Sequence, residues 1–276
     1  MPATSDRATL VAALHEEFDA LIELGRQLDD GQWETASECP GWTVKDLYSH
    51  VIGTELMLLG RPDEAGEAGE AGEASGAEHV RNQIGEFNEV SVAIRRDRPG
   101  AEVLAELEAI AAERTAALDE MTDADFDAES FTPAGKDTYG RFMQIRVFDC
   151  WIHEQDARES LDLPGHTTGH AVDVSIDEHA TALGFIVGKK AGATEGQSVR
   201  LRLTGDAERT IDVRVDGRAA VVDDLEDPTT TITIPTLLWF RYAAGRRPAD
   251  ASRHDVTIEG DQDLGKRVLA NAGYTI

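Results

Sequence analysis

The sequence predicts a two-domain protein of the α+β class, in which a bundle of helices precedes a smaller domain that combines strands and helices. Up to Leu161, apolar residues recur at spacings of three and four, a period typical of amphipathic helices. Beyond Pro164 they alternate with polar residues over several short runs, as in half-buried strands. The 276 residues are enough for two domains, and we predict domains at 1–163 and 164–276.

The first domain is predicted to contain four or five helices that pack as a bundle. Ser5 or Asp6 provides the N-cap of the first helix, and Thr43 with Asp46 forms a carboxylate variant of the capping box at the second. The predicted helices run from Asp6 to Asp30, from Thr43 to Gly60, and over about 78–96, 101–121 and 138–161.

Residues 63–76 repeat Glu, Ala and Gly (DEAGEAGEAGEASG). A segment with Gly at every third position and no large apolar side chain cannot bury itself against the helices. We therefore predict a flexible acidic loop over residues 61–78, without a role in the chemistry.

The second domain is predicted from the change of period after Pro164. The predicted strands cover 199–203, 211–215, 231–234 and 255–258, and the predicted helices lie at about 171–187, after Pro235 and around 264–269. Asp216-Gly217 is a good turn signal after the second strand. Strands with short connections, flanked by helices, are typical of the α+β class.

Acidic residues dominate the charge of the chain: 53 Asp and Glu stand against 26 Lys and Arg, a formal net charge of −27. This charge disfavours binding to nucleic acid, which needs basic groups that neutralise phosphates, and docking on anionic lipid. No run of about 18 apolar residues and no basic region followed by an apolar stretch at the N-terminus are found, so neither a membrane span nor a signal peptide is predicted. Together with only two cysteines, these features indicate a cytoplasmic protein.

One segment of the last helix in the first domain combines residue types that bind metals. Asp149 and His153 are four residues apart, so both side chains share one helix face, and Asp156 lies one turn further along it. A third ligand has to come from another helix, and His50 is the natural candidate. Two His and one carboxylate leave positions open for water or substrate, as in catalytic metal sites. The alternative is an intrahelical Asp149–His153 pair, with His50 as a hydrogen-bonded core residue.

The remaining candidates give weaker signals. His166 and His170 have the spacing of a helical metal-binding pair, but the neighbouring glycines place them in a loop, so no metal site is predicted there. Cys39 and Cys150 are interpreted as packing residues, the second as an inert buried thiol. No Gly-rich phosphate loop follows a predicted strand, and a nucleotide cofactor is therefore not predicted.

Three stretches of the chain together form a recognisable pattern. They are residues 39–47 (CPGWTVKDL), preceded by Trp33 and followed by His50; residues 81–89 (RNQIGEFNE); and the helix that carries Asp149, Trp151, His153, Asp156 and Arg158. In this order they resemble the mycothiol-dependent maleylpyruvate isomerase family. The resemblance implies a DinB-like helical bundle that binds a metal, followed by a C-terminal domain similar to sterol-carrier folds.

The resemblance also implies a divalent metal ion, usually zinc, held by His50, Asp149 and His153. The characterised isomerase uses Glu where this chain has Asp149, whose side chain is shorter by one methylene. A low-molecular-weight thiol, mycothiol or a similar compound, is then the cosubstrate for isomerisation or S-transfer on a small electrophile. The alternative is a non-catalytic, regulatory or small-molecule-binding protein that retains the family fold, with or without the metal.

Acidic substrates of such an enzyme need cationic partners. Arg241 and Arg246, around the short helix predicted after Pro235, are candidates for binding a substrate carboxylate over the metal site. The alternative is that both are surface arginines of an acidic protein.

Overall fold

The computed structural model describes residues 4–63 and 79–274. The chain divides into two compact units, of which the first is Ser5–His166 and the second begins at Thr167. The predicted acidic loop lies outside the described residues except for residues 61–63. The first unit is mainly helical and the second contains a five-stranded sheet, which confirms the predicted α+β class.

The first unit is built on helices, most of which begin at a residue whose side chain caps the helix. They are α1 (Arg7–Gly25), α2 (Asp30–Trp33), α3 (Val44–Leu58), α4 (Gln83–Arg95), α5 (Gly100–Glu120), α6 (Asp123–Phe126) and α7 (Tyr139–Ser160). Asp6 caps α1 by accepting a hydrogen bond from the backbone N–H of Thr9. Thr43 and Asp46 form the predicted capping box at the start of α3. The bounds of α5 and α7 lie within one residue of the prediction.

The first helix is shorter than predicted. It ends at Gly25 rather than at Asp30, and the short α2 follows. The reason is Asp29, which has an extended backbone and accepts a hydrogen bond from the N–H of Gln32, so that it caps a new helix instead of continuing α1. The helix predicted from about residue 78 begins only at Gln83, after its N-cap Asn82.

A two-stranded hairpin before α7 was not predicted. It pairs β1 (Glu129–Thr132) with β2 (Gly135–Thr138) in antiparallel register. Its turn residues are Pro133 and Ala134, and Gly135, the first residue of β2, has a φ of 105°, a backbone conformation that glycine adopts without steric cost. The strands are short and polar, and their one large apolar side chain, Phe131, is 81% exposed. The sequence therefore lacks the alternation of apolar and polar residues that predicts a strand.

The second unit packs helices against one mixed sheet. Its strands are β3 (Ser198–Thr204), β4 (Arg209–Asp216), β5 (Arg218–Val222), β6 (Thr230–Pro235) and β7 (Thr257–Gly260), in the order β5-β4-β3-β6-β7. Only the β3–β6 pair of this sheet is parallel. The helices are α8 (His170–Phe185), which continues into a π-helical turn at Ile186–Lys190, α9 (Thr236–Ala243) and α10 (Gln262–Ala270).

The alternating pattern predicted for the strands is found in β3, where Val199, Leu201 and Leu203 are each 2% exposed. The turn predicted at Asp216-Gly217 joins β4 to β5, with Gly217 at a φ of 65°. Strand β5 itself was missed, because its sequence, RAAVV, has no period-two pattern. Across the described ranges, no helix has both the length and the apolar character needed to span a membrane.

Candidate metal centre

Helices α3 and α7 bring the three predicted metal ligands together in the first unit. Nε2 of His50 lies 3.1 Å from Oδ2 of Asp149, and Nε2 of His153 lies 3.5 Å from Oδ1 of the same carboxylate. The two imidazole rings meet edge to face, with centroids 4.8 Å apart. We call these three residues the His50 triad.

The His50 triad is buried on one side and open on the other. The side chains of His50 and His153 are 5% and 9% exposed, whereas that of Asp149 is 29% exposed. The carboxylate is therefore the member of the triad that faces solvent. A small molecule reaching the triad meets the Asp149 side first.

A second carboxylate orients His153 from behind. Oδ2 of Asp156, a fully buried residue, lies 3.1 Å from Nδ1 of His153, which leaves Nε2 directed toward Asp149. Cys39 donates a hydrogen bond from Sγ to the same Oδ2 atom at 3.2 Å. Metal-ligating histidines typically make such a contact to a carboxylate through the ring nitrogen that does not bind the metal. Nδ1 of His50 has no hydrogen-bond partner in the described part of the chain.

Asp149 is also held by a buried network of charges. Arg146 donates a hydrogen bond from Nη1 to Oδ2 of Asp149, and it donates from Nε and Nη2 to Oε1 of Glu55 at 3.0 and 2.7 Å. Arg114 donates to the other oxygen of Glu55 at 2.7 Å. Both arginine side chains are 2% exposed and that of Glu55 is 1% exposed. The network fixes the position of the triad carboxylate from the interior of the bundle.

Trp42 covers the two imidazoles. Its ring centroid lies 5.4 Å from that of His50 and 5.9 Å from that of His153. Its Nε1–H donates to Oε2 of Glu89 on α4 at 2.9 Å, which holds the indole in place. An aromatic wall of this kind limits the access of water to the ring nitrogens.

Burial and charge set the protonation of the triad. Burial lowers the pKa of His50, which favours the neutral imidazole that a metal requires. Burial acts to raise the pKa of Asp149, but the neighbouring His50 and the Arg146 guanidinium outweigh it and hold that pKa well below its ordinary value. Burial acts to lower the pKa of His153, but hydrogen bonds to Asp149 and Asp156 outweigh it and raise that pKa well above the ordinary value. A metal that binds here therefore has to displace a proton from His153.

The residues of the triad fit a divalent transition-metal ion. One ligand atom from each residue lies within 4.8 Å of the other two. Four ligands at about 2.0–2.1 Å in a tetrahedral site stand roughly 3.4 Å apart, close to the two nitrogen–oxygen distances of the triad. The donor set, two imidazoles and one carboxylate, suits zinc and other first-row ions. The carboxylate exposed to solvent leaves room for a further ligand.

Family comparisons cover both units of the chain. Residues 14–158 match the family described as Mycothiol maleylpyruvate isomerase N-terminal domain, and residues 173–267 match the MDMPI C-terminal domain. The chain belongs to the mycothiol maleylpyruvate isomerase family. The family indicated by the sequence motifs is thereby confirmed.

Two solved structures are similar to this chain: the mycothiol-dependent maleylpyruvate isomerase and a histidine-to-alanine mutant of it. Each is 17% identical in sequence, with 92% of this chain and 93% of the other covered and a TM-score of 0.56. At this identity the similarity shows a shared fold. A search of curated proteins finds no match.

The other residues that the sequence singled out for the family chemistry lie in the second unit. Arg241, at the end of α9, is 3% exposed, and Arg246 donates from Nη1 to the carbonyl of Ala244 at 3.0 Å. Their role as carboxylate binders remains a prediction. Cys150, in the first unit, is fully buried, and burial raises the pKa of its thiol well above the ordinary value, as expected for an inert thiol.

Sequence reasoning missed two features of this family site. Cys39 was interpreted as a packing residue, yet its Sγ lies 3.2 Å from Asp156 and 3.8 Å from Nδ1 of His153. The pairing of Glu55 with two arginines was not foreseen. Cys39 lies in the turn that leads into the helix of His50, so its place in the motif was an available signal. Nothing in the local sequence signals the partners of Glu55.

Proposed function

We propose that this member of the family is a metal-dependent enzyme that uses a low-molecular-weight thiol, mycothiol or a similar compound, either to isomerise a small electrophile or to transfer the thiol sulfur to it. The observation that carries the proposal is the meeting of His50 and His153 on the two oxygens of Asp149. Family membership supports the same thiol chemistry. Zinc is the metal that we expect, because two nitrogens and one carboxylate with an open position are typical of catalytic zinc.

In this proposal the protein holds a neutral His50 and a His153 whose Nδ1 is fixed by Asp156. A divalent ion held by His50, Asp149 and His153 would lower the pKa of a coordinating thiol and so make the thiolate available at neutral pH. Trp42 keeps bulk water away from the ring nitrogens, and Arg146 prevents Asp149 from turning away. The exposed edge of Asp149 provides the approach for thiol and electrophile.

The thiol chemistry has two forms. In isomerisation, the sulfur adds to one carbon of a cis double bond, the resulting single bond rotates, and elimination returns the thiol with the trans product. In S-transfer, the sulfur displaces a leaving group from carbon, the thiol proton leaves with that group, and the thioether is the product. Both forms begin with the same thiolate, so one site accommodates either.

We further propose that Arg241 or Arg246 binds the carboxylate of an acidic electrophile. Guanidinium groups recognise carboxylates through two parallel hydrogen bonds, which position the substrate as well as neutralise it. This assignment rests on residue type and on the position of Arg241 in the last turn of α9, with Arg246 shortly after the helix ends at Ala243.

The second candidate function is non-catalytic binding of a metal or small molecule. One observation favours it: Oδ2 of Asp149 accepts hydrogen bonds from Arg146 and faces His50 at the same time. A carboxylate engaged in this way is a weaker metal ligand than a free one. The measurement that separates the two candidates is the response of a bound metal to thiol.

The first test is the metal content of tag-free protein, measured by elemental analysis. We expect His50→Ala and His153→Ala each to hold about one ion fewer per chain than the wild type. His254→Ala, which alters an exposed histidine of the second unit, is the matched control and keeps the wild-type content. Equal metal content in the wild type and in folded His153→Ala contradicts the proposed metal site.

The second test asks whether thiol reaches the metal. Cobalt-substituted protein titrated with mycothiol should develop a thiolate-to-cobalt charge-transfer band, and His153→Ala should not. A cobalt-loaded wild type that shows no such band at saturating thiol, and that turns over no electrophile, favours the non-catalytic alternative.

A further inference from the structure

A second group of metal-ligand side chains lies in the first unit, apart from the His50 triad. It comprises Glu17 of α1, Glu154 of α7 and His166, and we call it the Glu17 cluster. One ligand atom from each of these residues lies within 4.8 Å of the other two. Nδ1 of His166 is 2.9 Å from Oε2 of Glu154 and 3.3 Å from Oε1 of Glu17.

Glu17 is the unusual member of the cluster. Its side chain is fully buried, and neither of its carboxylate oxygens accepts a hydrogen bond from any described residue. The hydrogen bond of His166 Nδ1 goes to Glu154, so the single proton of that nitrogen is already used. A buried acceptor left unsatisfied costs about 1–3 kcal/mol, and a buried charge costs more. The nearest cationic group is His166, 3.3 Å from Oε1 of Glu17, whose pKa is raised to about 10 by the carboxylates of Glu154 and Glu17, so a metal ion that binds here has to displace a proton from this imidazole.

The chain holds His166 in one orientation. Its backbone N–H donates to Oε1 of Gln155 at 3.0 Å, and its carbonyl accepts from Nε1–H of Trp151 at 3.0 Å. On the far side of the ring, Nε2 lies 3.2 Å from Oε1 of Glu16. This places one imidazole nitrogen inside the cluster and the other on an outer carboxylate, the same arrangement that Asp156 gives to His153.

Glu154 directs one of its carboxylate oxygens into the cluster. Its Oε1 accepts from Nε of Arg158 at 2.7 Å, and its Oε2 accepts from Gln155 and faces His166. Oε2 is thus the oxygen of Glu154 that a metal ion in the cluster would contact. Access from solvent exists, because the side chains of His166 and Glu16 are 16% and 27% exposed.

We propose that Glu17, Glu154 and His166 form a second site for a divalent transition-metal ion, independent of the His50 triad. Two carboxylates and one imidazole suit Zn²⁺, Mn²⁺, Fe²⁺ and Co²⁺. An ion at this point satisfies both oxygens of Glu17 and links α1, α7 and the segment that follows α7. Its role is structural, since it ties together three parts of the bundle that are distant in sequence. No metal site was predicted at His166 from the sequence, and the proposal rests on the contacts of this residue with Glu17 and Glu154.

The competing explanation is that Glu17 is a protonated carboxylic acid and that the cluster holds a proton in place of a metal. The two explanations differ in stoichiometry. If both sites bind metal, metal-free wild-type protein takes up two Zn²⁺ or Co²⁺ ions per chain in a calorimetric titration. If Glu17 is instead protonated and the cluster binds no metal, the protein takes up one ion, at the His50 triad.

The decisive experiment compares variants of the two sites in the full chain. Glu17→Gln and His166→Ala should each bind one ion, His153→Ala should bind one, and His153→Ala combined with Glu17→Gln should bind none. Glu23→Gln removes the same charge from an exposed position of α1 and should bind two. Glu17→Gln preserves the side-chain volume, and His166→Ala provides a second, independent disruption.

A stability readout accompanies the titration. Saturating Zn²⁺ should raise the midpoint of thermal unfolding of His153→Ala and leave that of the double variant unchanged. The reason is that an ion stabilises a protein when it binds the folded state and not the unfolded one. The proposal is overturned if Glu17→Gln keeps the wild-type stoichiometry, or if folded His153→Ala binds no ion. Wild type with one ion that is lost in Glu17→Gln and kept in His153→Ala supports this site and contradicts the triad.

Discussion

The carboxylate of Asp156 lies 3.1 Å from Nδ1 of His153, whereas the other ring nitrogen, Nε2, faces Asp149. This contact decides which nitrogen of His153 is available to a metal. Asp156 thus acts through His153, because it fixes the orientation of the imidazole ring.

Replacing Asp156 with Asn should weaken zinc binding without abolishing it. The amide still accepts a hydrogen bond from Nδ1–H, but it lacks the negative charge that increases the basicity of the imidazole. We expect the affinity of the triad for Zn²⁺ to fall by about 10–100-fold, measured by competition with a chromophoric chelator. Glu159→Gln, an exposed neutralisation on the same helix, is the control and should change the affinity less than twofold. Equal affinities of Asp156→Asn and wild type exclude the positioning role.

Neutralising Glu55 should strongly destabilise the helical unit. It is the shared partner of Arg114 and Arg146, and all three side chains are nearly inaccessible to water. Glu55→Gln leaves the buried Arg114 without its counter-charge and leaves Arg146 paired with Asp149 alone, and we expect the free energy of unfolding to fall by about 3–5 kcal/mol. Urea denaturation followed by circular dichroism measures it.

The matched control is Glu113→Gln. Glu113 pairs with Arg61 on the surface, where the side chains are 50% and 52% exposed. An exposed pair contributes about 0–1 kcal/mol, so this variant should unfold close to the wild-type midpoint. If both variants lose the same stability, burial of the Glu55 network is not what makes it important.

His179 should make the second unit sensitive to acid. It is fully buried, Trp239 donates a hydrogen bond to its Nε2 at 2.7 Å, and burial lowers its pKa to about 3. Below a pH of about 6.5 the unfolded chain binds a proton at this residue and the folded chain does not. Stability therefore falls as the pH drops from about 6.5 toward 3, by up to about 1.4 kcal/mol per pH unit from this group alone.

The test of His179 is the slope of the free energy of unfolding against pH, because substitution of a buried histidine changes the stability itself at every pH. His179→Gln keeps an acceptor for Trp239 and removes the titration. Its free energy of unfolding between pH 6.5 and 4.5, measured by urea denaturation, should depend less steeply on pH than that of the wild type. His254→Gln, at an exposed position, should keep the wild-type slope, and parallel lines for all three proteins contradict the assignment.

Arg246 tests the proposed recognition of acidic substrates with less structural disturbance than the buried Arg241. Arg246→Ala should raise KM for a carboxylate-bearing electrophile about tenfold or more and leave kcat within a factor of two, since a hydrogen bond to a charged group contributes about 1.5–3 kcal/mol. A neutral electrophile should be turned over as before. Arg218→Ala, which removes an exposed arginine of the same unit, is the control. An unchanged KM for every acidic electrophile removes Arg246 from the site.

Local sequence patterns were sufficient for much of the helical unit. The capping box of Thr43 and Asp46 and the bounds of α7 were predictable, because caps and helix periodicity depend on residues within a few positions of one another. The same locality explains why Asp149 and His153 were expected on one face. The end of α1 at Gly25 was missed because the apolar spacing continues to Leu28, and the polar hairpin β1–β2 was missed because its strands have no alternation of apolar and polar residues.

The sequence by itself determined the class of the fold, the family and the residue types able to bind a metal. His50 was expected beside the pair on α7, but only the tertiary structure decided that Cys39 reaches Asp156 and that His166 faces Glu17. The physical reason is that a helix fixes its own side-chain directions through local hydrogen bonds, whereas contacts between helices depend on packing over the whole core. Residues far apart in the chain carry no local signal of that packing.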